Sequence, residues 1–87
     1  MSDKQDKIIQ LGFEDTILLK DYDFETALIG VTTDGRAVYS YNLMIDYLVS
    51  LHSFTVEDAV EWIDTNTLRA LSYMGTQAPI IMFSLEE

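Results

Sequence analysis

The sequence predicts an α+β fold, a small antiparallel sheet of three to four strands with two helices packed on one face. Three observations carry this. Runs of β-forming residues flank Asp34-Gly35 and read as a hairpin. Two stretches between Tyr41 and Leu71 place apolar residues at helical spacing. Pro79 to Leu85 reads as a last strand. Strands that precede a block of helices belong to layered α+β architectures. The 87 residues suit one domain, with residues 1–13 as a possible flexible arm.

In chain order, residues 1–7 are polar and read as frayed. Ile9, Leu11 and Phe13 alternate, which fits either the start of a strand or a loosely packed arm. Thr16 to Lys20 is a short strand candidate, and Asp21 to Glu25 a polar connection. Thr26 to Thr32 and Arg36 to Ser40 are the hairpin strands. Gly30, inside the first of them, suggests a close approach to the backbone.

Ser40 is placed to cap a helix whose stripe is Leu43, Met44, Tyr47, Leu48 and Leu51, with Tyr41, Asn42 and Asp46 on its other side. Leu51 to Phe54 turns the chain. Thr55, followed three residues later by Asp58, resembles a capping box and starts a second helix, with Phe54 and Ala59 in staple positions. Ala59, Val60 and Ile63 form its predicted buried stripe, with Trp62 at the edge. Asp64-Thr-Asn-Thr67 is poor helix material and predicts a bend. Leu68 to Leu71 adds a turn, and Gly75 and Pro79 bracket the approach to the last strand. Ile80 to Phe83 is apolar on both faces, which asks for a covered second face, supplied by the N-terminal arm or by another chain.

Charge is the most unusual property. Fifteen carboxylates face five lysines and arginines, for a net charge of −10. The first ten residues cancel, so the excess falls on residues 11–87, where only Lys20, Arg36 and Arg69 oppose it. Such a chain repels nucleic acid and anionic lipid and attracts basic surfaces. It equally serves solubility alone. The absence of cysteine removes disulfides and thiolate metal sites, and a reducing cytoplasm is the simplest home. No segment is apolar enough over sufficient length to suggest a membrane span.

The residues give no sign of catalysis. The single histidine, His52, follows an amphipathic helix, where it suits the C-terminal dipole. No nucleophile elbow, phosphate loop or zinc-protease motif is present. Asp21, Asp23 and Glu25 are spaced by two, as in the opening of a calcium loop, but the glycine and the closing glutamate of such a loop are missing. No cofactor and no metal are expected.

Two acidic groups stand out as a partner surface. Glu57, Glu61 and Asp64 fall on one helix face, with Asp58 bordering them. Asp21, Asp23 and Glu25, with Glu14 and Asp15, cluster around the first connection, where Tyr22 and Phe24 are either apolar anchors for a partner or core residues. Arg69 is expected to pair with Asp64 or Asp46.

The blocks Leu28-Ile-Gly-Val-Thr-Thr-Asp-Gly-Arg-Ala-Val-Tyr39 and Trp62-Ile-Asp-Thr-Asn-Thr-Leu-Arg-Ala-Leu-Ser-Tyr-Met-Gly-Thr-Gln-Ala-Pro-Ile80 resemble small uncharacterised acidic proteins of low-GC Gram-positive bacteria and their phages and mobile elements, over roughly residues 16–83. The resemblance implies a compact domain and no catalytic residue. Small acidic proteins of that setting include inhibitors of restriction and CRISPR nucleases. The expectation is therefore a protein-binding module of anti-CRISPR or anti-restriction type, whose partner is a basic protein surface. The alternative is a structural or housekeeping protein that forms a homodimer through an apolar sheet face.

Overall fold

The computed structural model describes residues 3–19 and 24–85. Its first element is a helix, α1 (Asp3–Gln10), where the sequence reading had a frayed arm. Asp3 and Asp6 sit near its N-terminus and Lys7 in its last turn, the polarity the helix dipole favours. Gly12, at φ +96°, stops it. Gly12 N–H donates to Ile9 O at 2.9 Å and Phe13 N–H to Ile8 O at 3.2 Å, the paired bonds of a Schellman cap. Ile8 is the buried residue, while Ile9 and Leu11 are exposed, so the alternation of Ile9, Leu11 and Phe13 is not that of a strand.

The chain from Thr16 to Leu19 is irregular rather than extended into a strand. It is nonetheless fixed by two hydrogen bonds to the hairpin. Thr16 Oγ1 donates to Gly35 O at 2.9 Å, and Leu19 N–H donates to the Tyr39 hydroxyl at 3.1 Å. A backbone amide that finds a side-chain acceptor needs no ladder partner. A short 3₁₀ turn (Phe24–Ala27) then leads into β1 (Leu28–Val31).

β1 pairs antiparallel with β2 (Ala37–Ser40). The register shifts between Leu28 and Gly30, so Ile29 is a bulge residue. The close approach expected at Gly30 is not found, since no atom would lie within 4 Å of a Cβ built there. The connection is a three-residue loop with a bulge, not a two-residue turn. Gly35 N–H donates to Thr32 O at 2.9 Å and Thr32 N–H to Arg36 O at 2.8 Å. Gly35 alone in the loop has positive φ, +85°.

Ser40 ends β2 and caps α2 (Tyr41–His52), accepting from Leu43 N–H at 3.2 Å. Met44 and Leu48 are fully buried beneath α2, but Leu51, in its last turn, is exposed. Ser53 takes the left-handed conformation, φ +59°, and Phe54 N–H returns to Leu48 O.

Thr55 caps α3 (Val56–Trp62), its hydroxyl accepting from Asp58 N–H at 3.1 Å. Thr55→Ala is therefore expected to destabilise the fold by about 0.5–2 kcal/mol. Urea titration checks this, and an unchanged midpoint would mean that the cap contributes nothing.

The bend expected at Asp64–Thr67 is a π-helical turn (Ile63–Leu68), which runs without a break into α4 (Arg69–Leu71). Asn66 Nδ2 donates to Trp62 O at 3.0 Å, tying the turn back to the end of α3. The buried stripe is Ala59, Ile63 and Thr67, while Val60 is turned out and exposed.

β3 (Ile80–Met82) pairs with β2 in parallel, Val38 with Ile80 and Tyr39 with Ile81. The sheet is thus mixed, in the order β1-β2-β3, and not antiparallel throughout. The helices act as a crossover that brings the chain back to the end where β2 began, which parallel pairing requires. Arg36 Nε ties this return by donating to Ala78 O at 2.8 Å.

Leu28, Tyr39, Met44, Leu48, Ala59 and Ile63 share one core, joined by Phe24 and by Ile8 from α1. On the sheet's other face, Val38 and Ile80 are half-buried and Met82 is exposed. α1 is tied to the start of β1 by Lys4, whose Nζ donates to Glu25 O at 2.8 Å and Leu28 O at 2.7 Å.

Candidate functional site

The acidic helix face is built by the cap and the stripe together. Thr55 fixes where α3 begins, and burial of Ala59 and Ile63 fixes its rotation about its axis. Glu57, Asp58, Glu61 and Asp64 are consequently all exposed. On an ideal α-helix, Glu57, Glu61 and Asp64 fall within about 60° of one another and span roughly 10 Å along the axis. Glu57 and Asp58 lie in the first turn, where the helix dipole favours negative charge. Glu61 and Asp64 have no such compensation.

Among the described residues, no lysine or arginine pairs with any of these four carboxylates. Arg69 is exposed and pairs with neither Asp64 nor Asp46, contrary to expectation. Asp64 lies inside the π-helical turn and Arg69 directly after it, five positions on, and both side chains are exposed.

A shallow recess beside this face is lined by Phe54, Asp58, Glu61, Trp62, Thr65 and Asn66. Trp62 is half-buried, so it supplies an apolar wall beside two carboxylates. Asn66 is held there by its bond to Trp62 O.

The second acidic group is placed only in part. Asp21, Tyr22 and Asp23 lie outside the described residues. Glu14 and Asp15 are exposed, and Glu25 is half-buried on the 3₁₀ turn. Phe24 is a core residue, 2% exposed, and not a partner anchor. Its ring lies 5.3 Å from Tyr47 and 6.2 Å from Trp62 between centroids. The turn that carries Glu25 and the helix that carries Glu61 therefore meet through Phe24 and Trp62.

His52 is exposed at the end of α2, with Nε2 hydrogen-bonded to the Tyr47 hydroxyl at 3.1 Å. Among the described residues, no three His, Asp or Glu side chains are arranged to hold a metal ion. No helix among them is long and apolar enough to cross a membrane.

Sequence reasoning missed the two lysines of α1. Lys4, Lys7, Ile8 and Leu11 line a groove with Leu28, Ile29, Gly30 and Val31 of β1. The signal was present in acids three residues apart, a following lysine and Gly12 as a stop. Comparison with protein-family models, with curated proteins and with solved structures gives no match.

Proposed function

We propose that this protein is a binding module for the basic surface of another protein, and that its acidic helix face stands in for nucleic-acid phosphates. The most concrete form is an inhibitor of a nucleic-acid-handling defence enzyme, of anti-CRISPR or anti-restriction type. The observation that carries the reading is the row Glu57, Asp58, Glu61 and Asp64, exposed together and unanswered by any described cation.

The magnitudes limit what this row does alone. Axial spacings between Glu57, Glu61 and Asp64 are roughly 6 and 4.5 Å. A nucleic-acid strand carries a charge about every 3.4 Å. The helix face is sparser than the polymer it imitates, so affinity requires further acids or apolar contact. Trp62, in the recess it shares with Asp58 and Glu61, supplies an apolar group next to the row.

Replacing Glu57, Glu61 and Asp64 with Gln, Gln and Asn removes three charges and keeps approximate shape. Folding is expected to be unharmed or slightly improved, because the lost interactions are repulsions of a few tenths of a kcal/mol. Binding to a partner captured from lysate should weaken about tenfold at low salt, mainly through slower association, with a shallower salt dependence. Nucleic acid should compete with the wild-type protein for that partner. If the triple variant associates as fast and as tightly as wild type, the row is only a solvated face.

A second reading is favoured by one observation, the exposure of Met82 at the end of the edge strand β3 and of Phe83 just after it. It makes the chain a structural protein that self-associates through its sheet. Salt separates the two, since a charge-steered complex weakens as salt rises and an apolar one does not.

A further inference from the structure

In a chain of net charge −10, the groove between α1 and β1 is an anomaly. Two of the chain's five cations, Lys4 and Lys7, line it together with the apolar side chains of Ile8, Leu11, Ile29 and Val31. Its volume is about 380 Å³. Ile29 is 44% exposed and Leu11 65%, so the apolar wall is open to an occupant. β1 is an edge strand, and its outer side faces the groove. The bulge at Ile29 and the bare Gly30 leave room for another backbone there.

The occupant that fits has an apolar side chain followed by negative charge in an extended segment. The chain carries such a segment itself. Leu85 is 94% exposed, and Glu86 and Glu87 follow it. In its own molecule this segment starts at the wrong edge. Phe83, two residues earlier, packs on Tyr41 at 5.1 Å between ring centroids, and β3 lies across β2 from β1. We propose that the groove receives Leu85–Glu87 of a second copy, with Leu85 against Ile8, Leu11 and Ile29, and with Glu86 and Glu87 facing Lys4 and Lys7. Exchanged both ways about a two-fold axis, the contact closes a dimer. The segment is short and the net charges repel, so the dimer sits at the weak, concentration-dependent end of the interface range. This surface is separate from the acidic helix face, and the inference does not rest on the partner proposed above.

Sedimentation equilibrium of the full chain over a range of concentrations tests it. The weight-average mass should climb from the 9.9 kDa of one chain toward twice that value. Lys7→Glu should weaken the association about tenfold or more by turning an attraction into a repulsion. Lys7 suits this test because Lys4 also holds the fold through Glu25 O and Leu28 O. The pair Glu86→Lys and Glu87→Lys should weaken it similarly. Combining Lys7→Glu with Glu86→Lys and Glu87→Lys should restore most of it, which general loss of stability does not do. Circular dichroism of each variant, run in parallel, should show an unchanged fold. A chain that stays monomeric at every concentration overturns the proposal. So does a dimer indifferent to these charges but broken by Met82→Asp, which would place the contact on the sheet. A groove that takes up a fatty-acid anion while the chain remains monomeric would overturn it in favour of a small amphiphile.

Discussion

Gly35→Val is expected to lower stability by about 2–5 kcal/mol, through two separate costs at one atom. The first is conformational. Gly35 sits at φ +85°, a region that costs a β-branched residue about 1–3 kcal/mol. The second is steric. A Cβ on Gly35 would stand 2.9 Å from Phe13 Cδ1, closer than carbon atoms in a folded protein approach one another. Overpacking of that kind costs about 1–3 kcal/mol. In a domain of this size each kcal/mol moves Tm by roughly 4–8 °C, so a shift of about 8 °C or more is expected. The two costs can be measured apart. Gly35→Ala in a Phe13→Ala background keeps the conformational term and removes the clash. It should therefore cost less than Gly35→Ala alone, once Phe13→Ala is subtracted. The position also anchors the loop that follows α1, because Gly35 O accepts from Thr16 Oγ1. Wild-type melting of Gly35→Val would refute both the turn geometry and the Phe13 contact.

The hairpin and both helix starts were legible because each is specified by a few neighbouring residues. Asp34-Gly35 announces a turn, and Ser40 and Thr55 carry hydroxyls where a first turn leaves amide groups unpaired. The bend at Asp64–Thr67 was legible as poor helix material, but not as a π-helical turn. That outcome is set by keeping Thr67 buried in line with Ala59 and Ile63. The direction of β3 was not legible. Nothing within Ile80–Met82 says whether its partner runs with it or against it, since both pairings suit apolar residues. It follows from the path of the helical crossover, which is a tertiary property. α1 was missed because Ile9, Leu11 and Phe13 alternate by coincidence, while the burial that stabilises the helix falls on Ile8 alone.

The acidic row was legible for a simple reason. Exposure of charged residues on a helix follows from which apolar residues lie opposite them, and Ala59 and Ile63 were visible in the sequence. The apolar positions were less secure, because one helical step separates Ala59, fully buried, from Val60, 40% exposed. The pairing expected of Arg69 failed because it, Asp64 and Asp46 are all exposed, where an ion pair gains little over solvation. The groove of Lys4 and Lys7 depends on α1 being tied to β1, a contact between segments more than twenty residues apart. No local pattern encodes it.

Phe24→Ala is expected to have an effect as large as Gly35→Val, about 3–5 kcal/mol. The side chain is 2% exposed and fills the space between Tyr47 of α2 and Trp62 of α3. Its removal costs the transfer free energy of a large aromatic group, leaves a cavity, and takes away two aromatic contacts. The total stability of a chain this size is about 4–13 kcal/mol. The variant therefore loses roughly a quarter or more of it, and a weakly stable background unfolds outright. Phe24→Leu keeps most of the volume and should cost less than about 1.5 kcal/mol. The pair of variants bears on function as well as on stability. Phe24 stands in the sequence beside Glu25 and the acids before it, where an aromatic residue also reads as an anchor for a partner. A buried ring cannot serve a partner directly, so its effect on binding runs through the position of Trp62 and the turn that carries Glu25. Phe24→Leu should therefore bind the captured partner within about twofold of wild type, while its Tm falls measurably. The opposite pattern, unchanged Tm with binding lost, would put Phe24 at the interface and would require the 3₁₀ turn to open when the partner arrives.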